Sequence, residues 1–297
     1  MKKGLLLLYA CMTIFPMFAN YEDYLIAAQQ GDIDAQTNVG ICFYSGDDVQ
    51  QDFEEAVYWW RKAAEQGNAR AQWRLGWCYY RGEGVLQNLT KAQYWYQKAA
   101  EQGNDVAQNL LGDLYYVQQQ DYVKAVLWYK KSADQGNAYA QSSLAYCFYN
   151  GNGVQIDRVK AIEWGQKAAE QENASAQFLL GHCYWSGWPS IGKDCDKAVF
   201  WFTKAAEQGH VNAENFLGTC YEKGCGVEQD FEQAVYWFLK AANKGNSQAQ
   251  INLATCYLEG KGVHRNFDEA IYWYRKAAEQ GHWAAKNILK YYNINIE

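Results

Sequence analysis

Apolar residues recur every three or four positions along most of the chain, which is the spacing of one face of an α-helix. In the segment that follows Asn68, apolar side chains stand at i, i+4, i+7 and i+8, at Ala71, Leu75, Cys78 and Tyr79. We call this pattern helix A. The stripe predicts that this face of the helix packs into a core.

A second helical pattern follows after a short loop, and we call it helix B. Between residues 88 and 102, apolar side chains stand at i, i+3, i+4 and i+7, at Ala92, Trp95, Tyr96 and Ala99. These positions again share one face. The sequence therefore predicts two amphipathic helices in succession.

Turn and capping residues separate the two helices. The loop 82–85 reads Gly-Glu-Gly-Val, and its glycines can take the positive φ that a helix end requires. Helix B is expected to begin at an acceptor side chain that caps its free amides, at Asp52, Asn88, Asp157, Asp194, Asp230 and Asn266. At the start of helix A, His210 and His282 replace Asn, and we expect capping or turn roles for them rather than metal binding.

The two patterns recur together as a unit of about 36 residues. The phrase Ala-Ala-Glu-Gln-Gly-Asn, or a variant of it, begins at positions 27, 63, 99, 132, 168, 205, 241 and 277. Such a period is typical of a solenoid, in which each unit buries its apolar face against its neighbours. We predict an all-α solenoid over residues 20–297, with seven complete helix pairs, a shortened helix B over 21–30 and a closing helix A over 283–292.

The repeated signature resembles that of Sel-one-like repeats, which are relatives of the tetratricopeptide repeat. It combines small-Ala-x-x-Leu-Gly-x-x-aromatic, Gly-x-Gly-Val and Asp-x-x-x-Ala-x-x-Trp-aromatic-x-Lys-Ala-Ala, and it covers residues 21–292. The resemblance implies a right-handed solenoid of antiparallel helix pairs. It also implies that the protein binds proteins or peptides as an adaptor, including envelope or host-contact roles in bacteria.

The N-terminus has the pattern of a secretory signal peptide. Two lysines precede an apolar stretch over residues 5–18, and a small residue, Ala19, precedes the polar Asn20. We predict a signal peptide over residues 1–19, cleavage after Ala19 and a periplasmic or secreted protein. The alternative is a lipoprotein signal that ends before Cys11. The apolar stretch is too short for a membrane span, which needs about 20 residues.

The overall charge makes some partners unlikely on physical grounds. The chain carries 27 basic and 33 acidic residues, a formal net charge of −6, and it contains no run of lysine or arginine. Proteins that bind nucleic acid or anionic membranes usually present a basic patch. We therefore predict neither of these partners and expect a protein or peptide ligand, with a glycan or peptidoglycan fragment as the second class.

Cysteine is abundant, with 9 residues, but its placement indicates packing rather than a disulfide ladder. One helix A column holds Cys42, Cys78, Cys147, Cys183, Cys220 and Cys256. Neighbouring stacked helices lie about 8–10 Å apart, whereas a disulfide needs Cα atoms within about 7 Å, so these thiols are expected to stay free. Cys195 and Cys225 lie off the column in adjacent repeats and form the best disulfide candidate, with Cys220–Cys225 as the competitor.

A tryptophan column marks helix B, and its period predicts a role in packing between repeats. The column consists of Trp59, Trp95, Trp128, Trp164, Trp201, Trp237 and Trp273. It accounts for 7 of the 13 tryptophans and leaves Trp60, Trp73, Trp77, Trp185, Trp188 and Trp283 without a structural reason.

The helix A face opposite the core is unusually aromatic. We predict that this face forms a concave groove that binds a protein or peptide, because exposed aromatic groups mark recognition surfaces. Its members are Arg70, Trp73, Trp77, Tyr80, Asn109, Tyr116, Tyr139, Tyr146, Tyr149, Phe178, His182 and Trp185. The alternative is that part of this stripe packs between neighbouring repeats.

Motifs for enzymatic chemistry are weak. The sequence has no Cys-x-x-Cys, His-x-x-x-His or phosphate-binding glycine loop, so we predict no metal site, no cofactor and no catalytic residues. Ser190 and Lys193 spell the Ser-x-x-Lys of penicillin-binding enzymes, although the companion motifs are absent. Cysteine-rich relatives in the resembled family carry a β-lactamase label. A protein that binds β-lactams or peptidoglycan fragments is therefore the alternative function.

Overall fold

The computed structural model describes residues 21–187 and 192–294. Every regular element in these ranges is helical. The α-helices are α1 (Tyr21–Gln29), α2 (Ile33–Ser45), α3 (Phe53–Glu65), α4 (Ala69–Arg81), α5 (Leu89–Glu101), α6 (Asp105–Asp113), α7 (Tyr122–Asp134), α8 (Ala138–Asn150), α9 (Arg158–Glu170), α10 (Ala174–Ser186), α11 (Cys195–Glu207), α12 (Val211–Lys223), α13 (Phe231–Asn243), α14 (Ser247–Glu259), α15 (Phe267–Glu279) and α16 (Trp283–Tyr291).

The helices form the predicted A–B pairs, so the all-α solenoid architecture is confirmed. The chain divides into two compact units, the first ending at Leu111 and the second beginning at Gly112. In the first unit α2 packs on α3 and α4 on α5, and in the second α8 to α15 pack as four successive pairs. None of the described helices is long and apolar enough to span a membrane.

A glycine of helix A faces a large ring of helix B inside most repeats. In the first repeat, a Cβ atom on Gly40 would lie 2.5 Å from the ring of Trp60, which is only 2% exposed. The same close approach occurs between Gly76 and Tyr96, Gly112 and Tyr129, Gly181 and Phe202, and Gly218 and Phe238. Because the glycine has no side chain, the two helices approach closely and the aromatic ring fills the space between them.

The fourth repeat has different residues at these two positions. Its helix A has Ala145 where most repeats have glycine, and its helix B has Gly165 where they have an aromatic ring. Leu180 of the next repeat fills the space, since its Cδ2 atom lies 3.3 Å from the position of a Cβ on Gly165. Such compensation preserves close packing at a changed residue pair.

The buried aromatic column corrects the interpretation of the tryptophans. Trp60 belongs to this column, and its Nε1 donates a hydrogen bond to the carbonyl of Thr37 at 3.1 Å. The predicted column one residue earlier is less buried, because only Trp59 and Trp273 of its members are classed as buried. The closest packing between helices A and B therefore uses the residue after the predicted tryptophan.

A glutamine pair joins helices A and B inside several repeats and is hydrogen-bonded to the preceding helix B; we call this series of pairs the glutamine ladder. Gln72, for example, donates to the carbonyl of Ala64 and accepts a hydrogen bond from Gln102 Nε2 at 2.7 Å. Equivalent side-chain pairs are Gln66–Gln36, Gln171–Gln141, Gln208–Gln177 and Gln280–Gln250. The side-chain pairs satisfy buried amides within a repeat, and the bond from the helix A glutamine to the preceding helix B links neighbouring repeats.

One step of the ladder in the second unit is ionic. Glu214 has no exposed surface and accepts a hydrogen bond from Lys244 Nζ at 2.6 Å, while Lys240 Nζ lies 3.9 Å away. Glu214 and Lys244 occupy the two positions that hold glutamine in the other pairs. The Oε2 atom of Glu214 has no hydrogen-bond partner among the described residues.

The helix caps follow the predicted positions in helix B. Asp52, Asp157, Asp194, Asp230, Asn88 and Asn266 all accept hydrogen bonds from backbone amides in the first turn of the following helix. Asp121 caps α7 in the same way and was missed. His210 accepts from Ala213 N at 3.3 Å, whereas His282 stands at the N-cap position of α16 without a side-chain capping bond, and its backbone amide donates to the Ala277 carbonyl at 3.1 Å in the turn before the helix.

The repeats that depart in sequence also depart in structure. In the third repeat, which lacks the glycine loop, residues Leu114–Gln118 form a π-helical turn after α6. In the fifth repeat, the altered loop includes residues 188–191, which lie outside the described ranges.

The cysteines of the described residues form two groups, as predicted from their positions. Cys195 and Cys225 are joined as a disulfide with a Cα–Cα distance of 5.4 Å. The six column cysteines are free thiols, and five of them are buried. Burial raises the pKa of Cys78, Cys147 and Cys183 to about 12, so these thiols are neutral and behave as small apolar groups.

The disulfide reinforces a backbone contact that other repeats also make. A Cβ on Gly226 would lie 2.3 Å from the carbonyl oxygen of Cys195, so the glycine loop touches the start of the previous helix B. Gly262 and Phe231 make the same contact, and there Lys261 lies over the Phe231 ring at 5.8 Å. At the sixth repeat the disulfide therefore occupies the two positions that make a cation–π contact in the seventh.

Candidate binding surface

The predicted surface residues are divided between the two compact units. Arg70, Trp73, Trp77, Tyr80 and Asn109 belong to the first unit. The second-unit members are Tyr116, Tyr139, Tyr146, Tyr149, Phe178, His182 and Trp185. Arg70 and Tyr139 are exposed and the others are partly exposed, so none of the twelve is a core residue.

In the first unit, α4 places an arginine on an aromatic platform. The guanidinium carbon of Arg74 lies 4.3 Å from the ring centre of Trp73 and 5.9 Å from that of Trp60. Burial, followed by the neighbouring charge of Arg70, lowers the pKa of Arg74 to about 10. Arg74 is still a cation at neutral pH, and Arg70 is the exposed residue one turn earlier on the same helix.

The C-terminal end of α4 contacts the preceding repeat through polar groups. Trp77 Nε1 donates to the Tyr44 hydroxyl at 3.2 Å, and that hydroxyl donates to Glu83 Oε2 at 2.8 Å. Arg81 pairs with Glu83 at 3.2 Å. Tyr80 stacks on Trp77 at 5.9 Å between ring centres. Trp77 therefore joins two repeats while it keeps some exposed surface.

In the second unit, the aromatic members are engaged mainly with neighbouring repeats. Phe178 stacks on His210 at 4.7 Å and lies 5.8 Å from Phe216. His182 packs edge-on against Phe216 at 5.4 Å, and Trp185 does so at 6.3 Å. These contacts show that much of this aromatic surface serves inter-repeat packing.

A hydrogen-bonded pair links the fourth and fifth repeats. The Tyr149 hydroxyl lies 3.0 Å from His182 Nδ1, and Ser186 Oγ lies 3.3 Å from the same nitrogen. Arg158 lies over the Tyr149 ring at 4.3 Å and also donates to the Tyr149 carbonyl. Burial, followed by the charge of Arg158, lowers the pKa of His182, so the ring is neutral at pH 7.

The remaining second-unit members include one open aromatic side chain. Tyr146 donates to the Ser175 carbonyl at 3.2 Å, and Tyr116 accepts from Asn152. Tyr139, by contrast, is 71% exposed. In the first unit, Asn109 is partly exposed on α6.

Some sequence predictions cannot be placed on the structure. The predicted signal peptide, the alternative lipoprotein Cys11, Trp188 and the Ser190 of the Ser-x-x-Lys motif all lie outside the described residues. Within residues 21–187 and 192–294, no group of three or more His, Cys, Asp or Glu side chains is arranged to hold a metal ion.

The repeat boundaries match a known family along most of the chain. The Sel1 repeat family matches residues 33–68, 69–104, 105–137, 138–173, 174–210, 211–246 and 247–282. The chain belongs to the Sel1 repeat family. Proteins of this family are generally scaffolds for interactions with other proteins. A search of curated proteins finds no match.

Solved structures support the same assignment. A Sel1 repeat protein from Oxalobacter formigenes is 34% identical with a TM-score of 0.71, and the match covers 91% of this chain and 79% of that one. The protein c5321, described as a protective antigen of uropathogenic Escherichia coli strains, is 36% identical with a TM-score of 0.52, covering 93% of this chain and 68% of that one.

Proposed function

We propose that this Sel1 repeat protein is a non-enzymatic scaffold that binds a peptide segment of a partner protein on the helix A face of its second repeat. The observation that supports this is the exposed part of Trp73, Trp77 and Tyr80 beside Arg70 and Arg74. Partly exposed indole rings next to charged groups favour protein recognition, because aromatic residues and arginine are enriched in interfaces.

A peptide-display experiment tests this function. The full chain is immobilised and used to select short random peptides, and the affinities of the enriched peptides are then measured in solution. The double variant Trp73→Ala/Trp77→Ala should lose about tenfold or more in affinity, as expected for aromatic hot spots. The control is Tyr58→Ala/Tyr94→Ala, which removes two half-exposed rings from helix B instead.

Two results would count against the proposal. Failure to enrich any peptide on the folded chain would contradict peptide binding itself. If the tryptophan variant and the tyrosine control bound the peptides with equal affinity, the binding site would not lie on α4. Because Trp77 also bonds Tyr44, urea unfolding of each variant must accompany the binding data.

We further propose that the protein is exported, in keeping with the N-terminal lysines and apolar stretch. The disulfide between Cys195 and Cys225 agrees with an oxidising compartment. The relative described as a protective antigen supports a role outside the cytoplasm, where the partner would be an envelope or host protein. Intact-mass measurement of the full chain expressed in a bacterium tests export: loss of residues 1–19 is expected, and an uncleaved cytoplasmic product would contradict it.

A further inference from the structure

Arg74 has no partner for its charge among the residues that the structure describes. Its Nε atom is buried without a hydrogen bond, and no carboxylate of the described residues lies within ion-pair distance of the guanidinium. Its contacts are with the faces of Trp73 and Trp60. A partly desolvated cation with no counter-charge is unfavourable, and it becomes favourable only when an anion binds beside it.

The fold does not require arginine at this position. The equivalent residues of other repeats are Asn38, Leu110, Ser143, Leu179, Phe216 and Asn252. Arginine therefore adds something other than repeat packing. Its neighbour Arg70 increases the unfavourable charge, because the two side chains lie one helical turn apart and repel each other.

The charge of α4 stands out against the chain as a whole. The formal net charge of the protein is −6, yet α4 contains Arg70, Arg74 and Arg81 and no acidic residue. Arg81 is already paired with Glu83. This leaves Arg70 and Arg74 as two cations available to a ligand, with the Trp73 indole fixed between their attachment points on the helix.

We propose that Arg70 and Arg74 bind the carboxylate side chains of an acidic peptide segment, whose neighbouring apolar residues pack on Trp73 and Trp77. This inference rests on the proposed function and names the chemistry of the partner. A guanidinium matches a carboxylate with two parallel hydrogen bonds, and stacking on Trp73 holds that guanidinium in place before the ligand arrives.

A peptide suits this site better than a nucleic acid does. Two arginines are too few for a phosphate backbone, which proteins usually contact at many positions, and the rest of the chain is acidic. The indole rings beside the arginines provide apolar contacts that a short acidic and apolar peptide can fill.

The test combines peptide selection with a matched charge control. Short random peptides are selected on the full chain, and the enriched ones are synthesised with a fluorescent label for titration. Variant Arg70→Gln/Arg74→Gln is compared with Arg265→Gln/Lys290→Gln, which removes the same charge from two exposed residues elsewhere. Arg70→Gln alone is included because Arg70 is exposed and its loss does not disturb packing.

We expect the enriched peptides to carry aspartate or glutamate beside apolar residues. The Arg70→Gln/Arg74→Gln variant should bind them about tenfold or more weakly, Arg70→Gln should give a smaller loss, and the control should bind as the native chain does. The affinity of the native chain should also fall as salt is added.

The failures are distinguishable. Enriched peptides without acidic residues, or acidic peptides that bind the double arginine variant unchanged, would overturn this inference while peptide binding itself stands. A DNA oligonucleotide of equal charge that binds as tightly as the peptide would overturn it as well. If no peptide is enriched at all, the proposed function fails together with the inference.

Discussion

Two partly or fully buried charges in this chain differ in how they are neutralised. In the sixth repeat, Glu214 has no exposed surface and pairs with Lys244, at the end of helix B of the same repeat, at 2.6 Å. In the second repeat, Arg74 lies on two indole rings, and no described residue provides it with an anionic partner. The first charge is neutralised within the fold, whereas we propose that the second is neutralised by a bound ligand.

The same contrast separates the two aromatic surfaces. In the fifth repeat, Phe178 and His182 contact rings of the following repeat, so their size serves packing. In the second repeat, Trp73 holds an unpaired guanidinium instead. The number of aromatic residues on a helix face does not by itself indicate a binding site. The presence of unsatisfied groups beside them is the more informative observation.

The largest effect is expected from breaking the ionic step of the ladder. Lys244→Met leaves the buried Glu214 with only Lys240, whose Nζ lies 3.9 Å away. It should cost about 2–4 kcal/mol, less than a wholly unpaired buried charge, because Lys240 remains and the Lys244 side chain is 40% exposed. Urea unfolding measures this loss.

A double variant provides the control for the ladder. Glu214→Gln/Lys244→Gln recreates the glutamine pair of the other repeats and should recover most of the stability. If the double variant were as unstable as Lys244→Met, the ionic pair would not be acting as a substitute for the glutamine pair.

Removing an aromatic side chain should cost more stability in the fifth repeat than in the second. Phe178→Ala removes a ring that contacts His210, Phe202 and Phe216, and we expect a loss of about 1–2 kcal/mol for this partly buried position. Trp73→Ala should cost about 1 kcal/mol or less, because it removes mainly a cation–π contact. Equal losses in thermal unfolding would contradict the proposed difference.

Acidification is expected to lower the stability of the protein by a smaller amount. Burial lowers the pKa of both His182 and His210, Arg158 lowers that of His182 further, and Glu214 partly opposes the shift at His210. The unfolded chain therefore binds more protons than the folded chain does. The stability contributed by the two neutral histidines is fully present above the ordinary histidine pKa of about 6.5 and declines as the pH falls below it.

The variant His210→Asn tests this pH dependence. It replaces the histidine by asparagine, the residue at the start of helix A in most other repeats. Thermal midpoints are compared above and below the ordinary histidine pKa. The native chain should lose more on acidification than the variant does. An identical pH dependence in the two proteins would show that His210 contributes nothing to it.

Most of the fold follows from local sequence signals. The repeat period, the capping residues of helix B and the glycines with positive φ, such as Gly82 at 77°, are all visible in the sequence because each depends on a short segment. The buried column of Trp60 and its equivalents was missed, although a glycine opposite each ring in most repeats is a signal that could have revealed it.

The candidate site depends more on partners that the sequence does not display. Arg70 was among the predicted residues, but Arg74 was not, because its helical position borders the core face. Its importance comes from the absence of a counter-charge, which requires the positions of all neighbouring side chains. For the same reason, a sequence cannot distinguish the packed Phe178 from the more available Trp73.

The most direct test of this account is the variant Arg74→Gln, measured for both stability and peptide affinity. Because the native guanidinium is partly desolvated and unpaired, its removal should leave the free energy of unfolding unchanged or raise it by up to about 1 kcal/mol. The affinity for selected acidic peptides should fall in the same variant. A clear loss of stability with unchanged peptide affinity would show that Arg74 serves the fold and would contradict the account.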